Sequence, residues 1–278
     1  MFGLFYANVG SFISAGYTPL LDSFTTTPEF DWSVFQMTTT QTKCVRLRRD
    51  SDNAESDFGF TSSGLVDTAA IDTWLGGANA YVVTFYGSTR TATESAASDQ
   101  GRFYTSGGNN NLPYVQQRTT VVLDNYTLSS NIASSGELHI ITMSNHPVNS
   151  GSYSSIFCTS SGAVRFWLGY VDNATINASI RVRPSSSYTY PQTAGSLVGD
   201  CFFELFRNSS NLLKTTFNNS QTSSATITDS VATISLFSTG SNADTMKLST
   251  VLFFNANVTT TERADLVSFY NSKFNKSI

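Results

Sequence analysis

At 278 residues the chain is long enough for one large β-sandwich or two small domains, and a folded unit of this size buries a sizeable core without stapling. Ser, Thr and Asn number 41, 36 and 21, whereas charged residues make up only 13% and sum to a net charge of −4, so the surface is hydroxyl-rich, poor in charge and without the basic stripe that nucleic-acid binding needs. The 13% aromatic content excludes a disordered Ser/Thr-rich stalk, because such rings bury enough area to offset the ordering entropy.

In chain order, residues 1–17 come first and carry no charged side chain. Phe2, Leu4, Phe5, Tyr6, Phe12 and Ile13 make this an apolar arm with two readings: an edge strand packed on its own domain, or an assembly element that orders in a partner. No basic region followed by an apolar run opens the chain, and no stretch approaches the roughly 18 apolar residues of a membrane span. The expectation is synthesis without export and no membrane contact.

From residue 43 onward, short runs rich in Val, Ile, Phe and Tyr alternate with Gly, Ser, Asn and Asp clusters, the pattern of strands and turns. Strands are expected near 44–48, 80–86, 119–123, 137–144, 153–159, 164–170, 175–183, 199–207, 212–217, 232–237 and 247–255. Their spacing, with no helical pattern between most of them, favours antiparallel connections over βαβ crossovers. Two short helices interrupt the series. Asp67 caps a first helix whose face carries Ala70, Ile71, Trp74 and Leu75 and which Gly76 and Gly77 stop. Thr259 and Glu262 have capping-box spacing ahead of a stripe of Leu266, Phe269, Tyr270 and Phe274. The division is an arm over residues 1–17 and one domain over residues 18–278.

Motifs for chemistry are sparse. Cys44, Cys158 and Cys201 form neither a paired framework nor a zinc spacing. His139 and His146 lie seven residues apart, an odd offset that sends them to opposite faces of a strand, so a histidine dyad is not expected. There is no G-x-S-x-G elbow, HExxH motif or phosphate loop. The acidic cluster Asp50, Asp52, Glu55 and Asp57 follows Arg46, Arg48 and Arg49; without an EF-hand's glycine turn it reads as local ion pairing, and neither metal nor cofactor is expected. Trp167, Tyr188 and Tyr190 are the candidates for stacking on a sugar face, with a core role the competing reading for Trp167.

The stretch CVRLRRDSDNAESDFGF at 44–60, GLVDTAAIDTWL at 64–75 and AYVVTFY at 80–86 resembles the N-terminal half of the arabinofuranosidase B type of β-sandwich, a module of the concanavalin A-like, laminin-G-like group that recurs in bacteriophage structural proteins. The closing stretch VLFFNANVTTTERADLVSFY at 251–270 looks like the last strand and terminal helix of laminin-G-like modules. The resemblance implies an all-β fold, a concanavalin A-like antiparallel sandwich or jelly roll. In the hydrolytic family an Asp-Gln-Ser-Gly turn follows the strand that ends here at Tyr86, where this chain has Gly87, Ser88 and Thr89. The family's nucleophilic Glu falls in a strand matching 163–169, where this chain has Val164 and Arg165. Its acid/base Asp falls in a turn matching 239–242, which carries no carboxylate, although Asp244 is close by. The family's adjacent cysteine pair is reduced to Cys158.

Since a retaining glycosidase needs two carboxyl groups flanking the bond, these departures imply a non-enzyme. The expectation is a virion surface protein made in the host cytoplasm: a capsid decoration, head-fibre or tail-fibre component. It would attach to other virion proteins through the arm, form a homo-oligomer and bind cell-surface glycan weakly through many copies. The alternatives are a glycoside hydrolase of arabinofuranosidase type and a soluble lectin.

Overall fold

The computed structural model describes residues 16–116, 126–130, 132, 136–146, 153–158, 165–171, 181–183, 199–218, 220–226, 235–236 and 247–278. The strands are β1 (Pro28–Ser33), β2 (Val45–Arg49), β3 (Glu55–Phe58), β4 (Ala80–Tyr86), β5 (Thr91–Thr93), β6 (Arg102–Tyr104), β7 (Tyr114–Gln116), β8 (Tyr126–Leu128) and β9 (Leu138–His146). They continue with β10 (Tyr153–Cys158), β11 (Arg165–Val171), β12 (Arg181–Arg183), β13 (Gly199–Arg207), β14 (Leu212–Phe217), β15 (Ser220–Thr226), β16 (Ser235–Leu236) and β17 (Lys247–Phe254). The helices are α1 (Thr68–Leu75) and α2 (Thr260–Phe274). The expected strand at 119–123, residues 1–15 of the arm, and residues 175–180 and 232–234 of two further expected strands lie outside the described residues.

Pairing among the described strands is antiparallel. One layer runs β1-β17-β9-β13-β14-β15. The other runs β3-β2-β4-β5-β8-β16-β10-β11-β12. β6 and β7 join the layers at one side, since β6 pairs with β4 and β7, and β7 pairs with β17. The fold is a concanavalin A-like β-sandwich, an all-β jelly roll with two helices, as the sequence implied.

The alternation of side chains along each strand fills the space between the layers. Trp32 of β1 meets Phe85 of β4 edge-on at 4.6 Å between ring centroids, and Phe85 meets Tyr126 at the same distance. Tyr126 is fully buried, yet its hydroxyl donates to Val82 O (2.8 Å) and accepts from Gly101 N (2.7 Å), which satisfies it.

The helices form where their caps dictate. Asp67 accepts from Ala70 N at 3.0 Å, Ile71 is buried, Trp74 packs on Phe58, and Gly76 closes α1 in the left-handed region at φ 59°. α2 opens on the full capping box of Thr259 and Glu262 and buries Leu266, Tyr270 and Phe274, four residues apart, against the layer that holds β13. Phe269 of the expected stripe is only partly buried and meets Phe35 at 5.5 Å.

The acidic cluster is tied to basic neighbours. Asp57 pairs with Lys43 (2.6 Å) and Arg46 (2.9 Å), Asp52 pairs with Arg49 (2.7 Å), and Asp50 accepts from both nitrogens of Asn79. Side-chain and backbone donors therefore occupy the carboxylate oxygens that a calcium ion would require.

Candidate functional site

Glu204 sits in the middle of β13, in the run CFFELF. Its neighbours Phe203 and Leu205 point into the core, so Glu204 lies on the opposite face of the strand, with Phe202 and Phe206. That face packs beneath α2, where Phe202 meets Tyr270 at 5.3 Å. One turn into α2, Arg263 reaches down to Glu204 with a forked pair of contacts, Nε to Oε1 at 2.9 Å and Nη2 to Oε2 at 2.5 Å. From the neighbouring strand β9, which pairs Phe206 with His139, the His139 Nε2 comes within 3.3 Å of Glu204 Oε1.

Glu204 is fully buried and His139 is 3% exposed. Burial pushes the Glu204 carboxyl up, but the close approach of His139 and the hydrogen-bonded guanidinium of Arg263 outweigh it and hold the group below its ordinary range. Glu204 is thus a fixed anion whose two oxygens are engaged. Its role is to orient Arg263 and His139; it has no free lone-pair face for attack on a substrate.

These two groups line a cavity of about 390 Å³ that also takes in Phe206, Thr216, Asn257 and Thr260. Among the described residues, His139 Nδ1 and Asn257 Oδ1 are buried without a hydrogen-bond partner, and the His139 Nε2 contact with Glu204 lacks hydrogen-bond alignment. The cavity therefore offers a positively charged guanidinium, an imidazole, two hydroxyls and an amide oxygen around one aromatic ring. No carboxylate is among the described residues that line it, and Glu204 behind it is engaged by Arg263, so the cavity does not supply the pair that glycoside hydrolysis requires.

A second buried carboxylate stands on β1. Asp31 is fully buried, and its Oδ1 accepts from Ser88 N at 2.5 Å while Oδ2 has no partner. Burial pushes its carboxyl up, against the pull of the Ser88 hydrogen bonds. A Cβ at Gly87 would lie 2.8 Å from that Oδ1, so the Gly87-Ser88 turn closes over Asp31.

None of the residues singled out from sequence as sugar or assembly contacts is among the described residues that line this cavity. Tyr188 and Tyr190 lie outside the described residues, as do Phe2, Leu4, Phe5, Tyr6, Phe12 and Ile13. Trp167 belongs to β11, whose backbone pairs with β10 and β12; its side chain lies outside the described residues. Neither a histidine pair nor a serine–histidine motif points to His139 in the sequence, because its partner Glu204 stands on a strand 65 residues further along the chain. Glu204 carried the available signal: a lone acid in an apolar strand has to find a buried partner.

No protein-family model matches the sequence, and no curated protein matches it. Solved structures do. An arabinofuranosidase complexed with arabinofuranosyl-α-1,2-xylobiose superposes with a TM-score of 0.66 at 11% identity. An α-L-arabinofuranosidase variant of glycoside hydrolase family 54, soaked with 4-nitrophenyl α-L-arabinofuranoside, gives a TM-score of 0.66 at 12% identity. Each alignment covers 90% of this chain and 63% of the other, so the chain spans less than two thirds of the length of these enzymes. The expectation of a non-enzymatic virion protein is corrected by this result: both of these solved structures are arabinofuranosidases, and none of these findings points to a capsid, a fibre or a phage. At this identity the likeness establishes the fold, and the chain has the β-sandwich architecture seen in those arabinofuranosidases.

Proposed function

We propose that this protein acts on glycans as a glycoside hydrolase of arabinofuranosidase type. The observation that carries this reading is the superposition of 90% of the chain on an arabinofuranosidase bound to an arabinofuranosyl oligosaccharide. The chemistry requires a carboxylic acid to protonate the leaving oxygen and a second carboxylate on the other side of the bond, about 5–5.5 Å away for retention. Asp244 is the carboxylate beside the turn that matches the family's acid/base position, which makes it the first residue to substitute.

The test is release of 4-nitrophenol from 4-nitrophenyl α-L-arabinofuranoside and from a panel of other 4-nitrophenyl glycosides by the full chain. Release above the uncatalysed rate is expected, with Asp244→Asn lowering it about 10²–10⁴-fold, the usual worth of a general acid. No release from any member of the panel overturns the hydrolytic reading. A lectin is the second reading, favoured by Val164 and Arg165 standing where the family's nucleophile falls. Retention of the chain on an arabinoxylan column without cleavage is its signature.

A further inference from the structure

We propose that the cavity between the start of α2 and strands β9, β13 and β14 is a binding site for a neutral sugar unit. It is built on the layer containing β13, whereas β11, the strand matching the family's nucleophile, belongs to the other layer. The inference goes beyond the hydrolytic reading and does not depend on it.

The ligand class follows from which polar atoms are left over. Glu204 draws Nε and Nη2 of Arg263 to itself, leaving Nη1 as the guanidinium's remaining donor. His139 is 3% exposed and neither ring nitrogen has a hydrogen-bond partner: Nε2 stands 3.3 Å from Glu204 Oε1, and Nδ1 is left over. Asn257 Oδ1 is an unpartnered acceptor on the same wall. Thr216 and Thr260 each supply a hydroxyl that both donates and accepts.

A stranded acceptor calls for a ligand that donates, and the guanidinium for one that also accepts. An anion donates nothing and would leave Asn257 Oδ1 unpaired, with Glu204 behind. An ammonium would meet the Arg263 charge. An apolar ligand would leave every one of these groups unpaired in a buried site, which is the costly outcome. A sugar hydroxyl can donate to Asn257 Oδ1, accept from Arg263, and do either with a threonine or with His139 Nδ1. The Phe206 ring, 5.5 Å from the His139 ring, gives the C–H face of the sugar an apolar surface. The volume of about 390 Å³ lies within the usual range for small-molecule pockets.

The experiment uses full-length protein labelled with ¹⁵N-histidine. The chain has two histidines, so a His146→Gln sample assigns the imidazole signals. L-Arabinose, D-xylose and D-galactose are titrated separately into the millimolar range. A saturable change in the His139 ring signals is expected with at least one of them. Asn257→Ala is expected to weaken that binding about tenfold, the scale of one lost hydrogen bond, and Thr260→Val to weaken it by a smaller factor, both without a change in thermal midpoint. No saturable change with any of the three sugars overturns the proposal. So does a response to sodium acetate in place of the sugars, which would reassign the cavity to anions. Hydrolysis is read through Asp244 and cavity binding through Asn257, so either reading can fail alone.

Discussion

Glu262 holds the N-terminal segment to the last helix, and replacing it with Gln should show how much that connection is worth. Its Oε1 accepts from Thr25 N (2.6 Å), Thr26 N (3.0 Å) and Thr25 Oγ1 (3.0 Å), and its Oε2 accepts from Thr26 Oγ1 (3.0 Å) and Thr259 N (2.7 Å). One carboxylate thus closes the capping box and clamps residues 237 positions away. Burial pushes the carboxyl up, and the Thr259, Thr26 and Thr25 donors overcome it, taking it from 4.5 to about 2. At 1.36 kcal/mol per pH unit that fall corresponds to about 3 kcal/mol. The group is 6% exposed but lies close to solvent, so screening reduces the expected contribution to about 2 kcal/mol. Because the folded value is depressed, this stability is present above pH 4.5 and disappears as the pH falls from 4.5 to about 2. Glu262→Gln places an N–H₂ among donors and should cost about 2 kcal/mol near neutral pH. Urea denaturation of both proteins across the acid range measures it: the gap should close toward about pH 2. A gap of the same size at neutral and acid pH would refute the reasoning, since the loss would then owe nothing to the carboxylate's charge.

Glu204→Ala leaves His139 and Arg263 without their shared anion and should destabilise by about 3 kcal/mol, near the low end for a broken buried pair because Arg263 is 31% exposed; the denaturation midpoint reports it. Gly64 has φ +78° and an added Cβ would lie 2.2 Å from the Tyr17 ring, whose hydroxyl donates to Gln36 O. Gly64→Ala should therefore cost about 2 kcal/mol and lower the thermal midpoint. Asp31 has a raised carboxyl, so the wild type loses stability as the pH climbs from the usual 3.8 through that raised value. Asp31→Asn keeps an oxygen for Ser88 N and abolishes that loss; the variant should gain on the wild type between acid and neutral pH, and parallel pH dependences in urea melts would contradict this.

The layered fold was legible wherever strands are long and apolar. β4 falls on the expected residues 80–86, and β9, β13 and β17 fall within one or two residues of their expected limits. The missed strands lacked the pattern that was sought. β15 reads SQTSSAT and owes its place to backbone pairing with β14. β1 carries Pro28, Glu29 and Asp31 in a strand that is buried on both faces, so polarity does not alternate with exposure. β5, β6, β7 and β8 have three residues each, too few for any periodicity. The cavity was less legible still. Glu204 stands out in CFFELF, but its partner Arg263 lies 59 residues away, and only the docking of α2 brings the two together.

That docking also explains why a polar cavity exists on a face otherwise sealed by rings. Leu266, Tyr270 and Phe274 cover the layer along the later turns of α2, but the first turn carries Thr260, Glu262 and Arg263 instead. Apolar contact therefore stops where capping chemistry begins, and the gap is lined by what the cap leaves over. Glu262 clamps the first turn to Thr25 and Thr26, while Arg263 beside it grips Glu204. The two acids fix one helical turn from opposite sides, so the position of the Arg263 guanidinium depends on both. Glu262 is not itself one of the residues that line the cavity, yet Glu262→Gln should weaken sugar binding at His139. Gly76→Ala, which strains the end of α1 at φ 59°, should cost stability and leave that binding unchanged. Equal effects of the two variants on the His139 titration would mean that the cavity responds to general loosening of the fold and not to the first turn of α2.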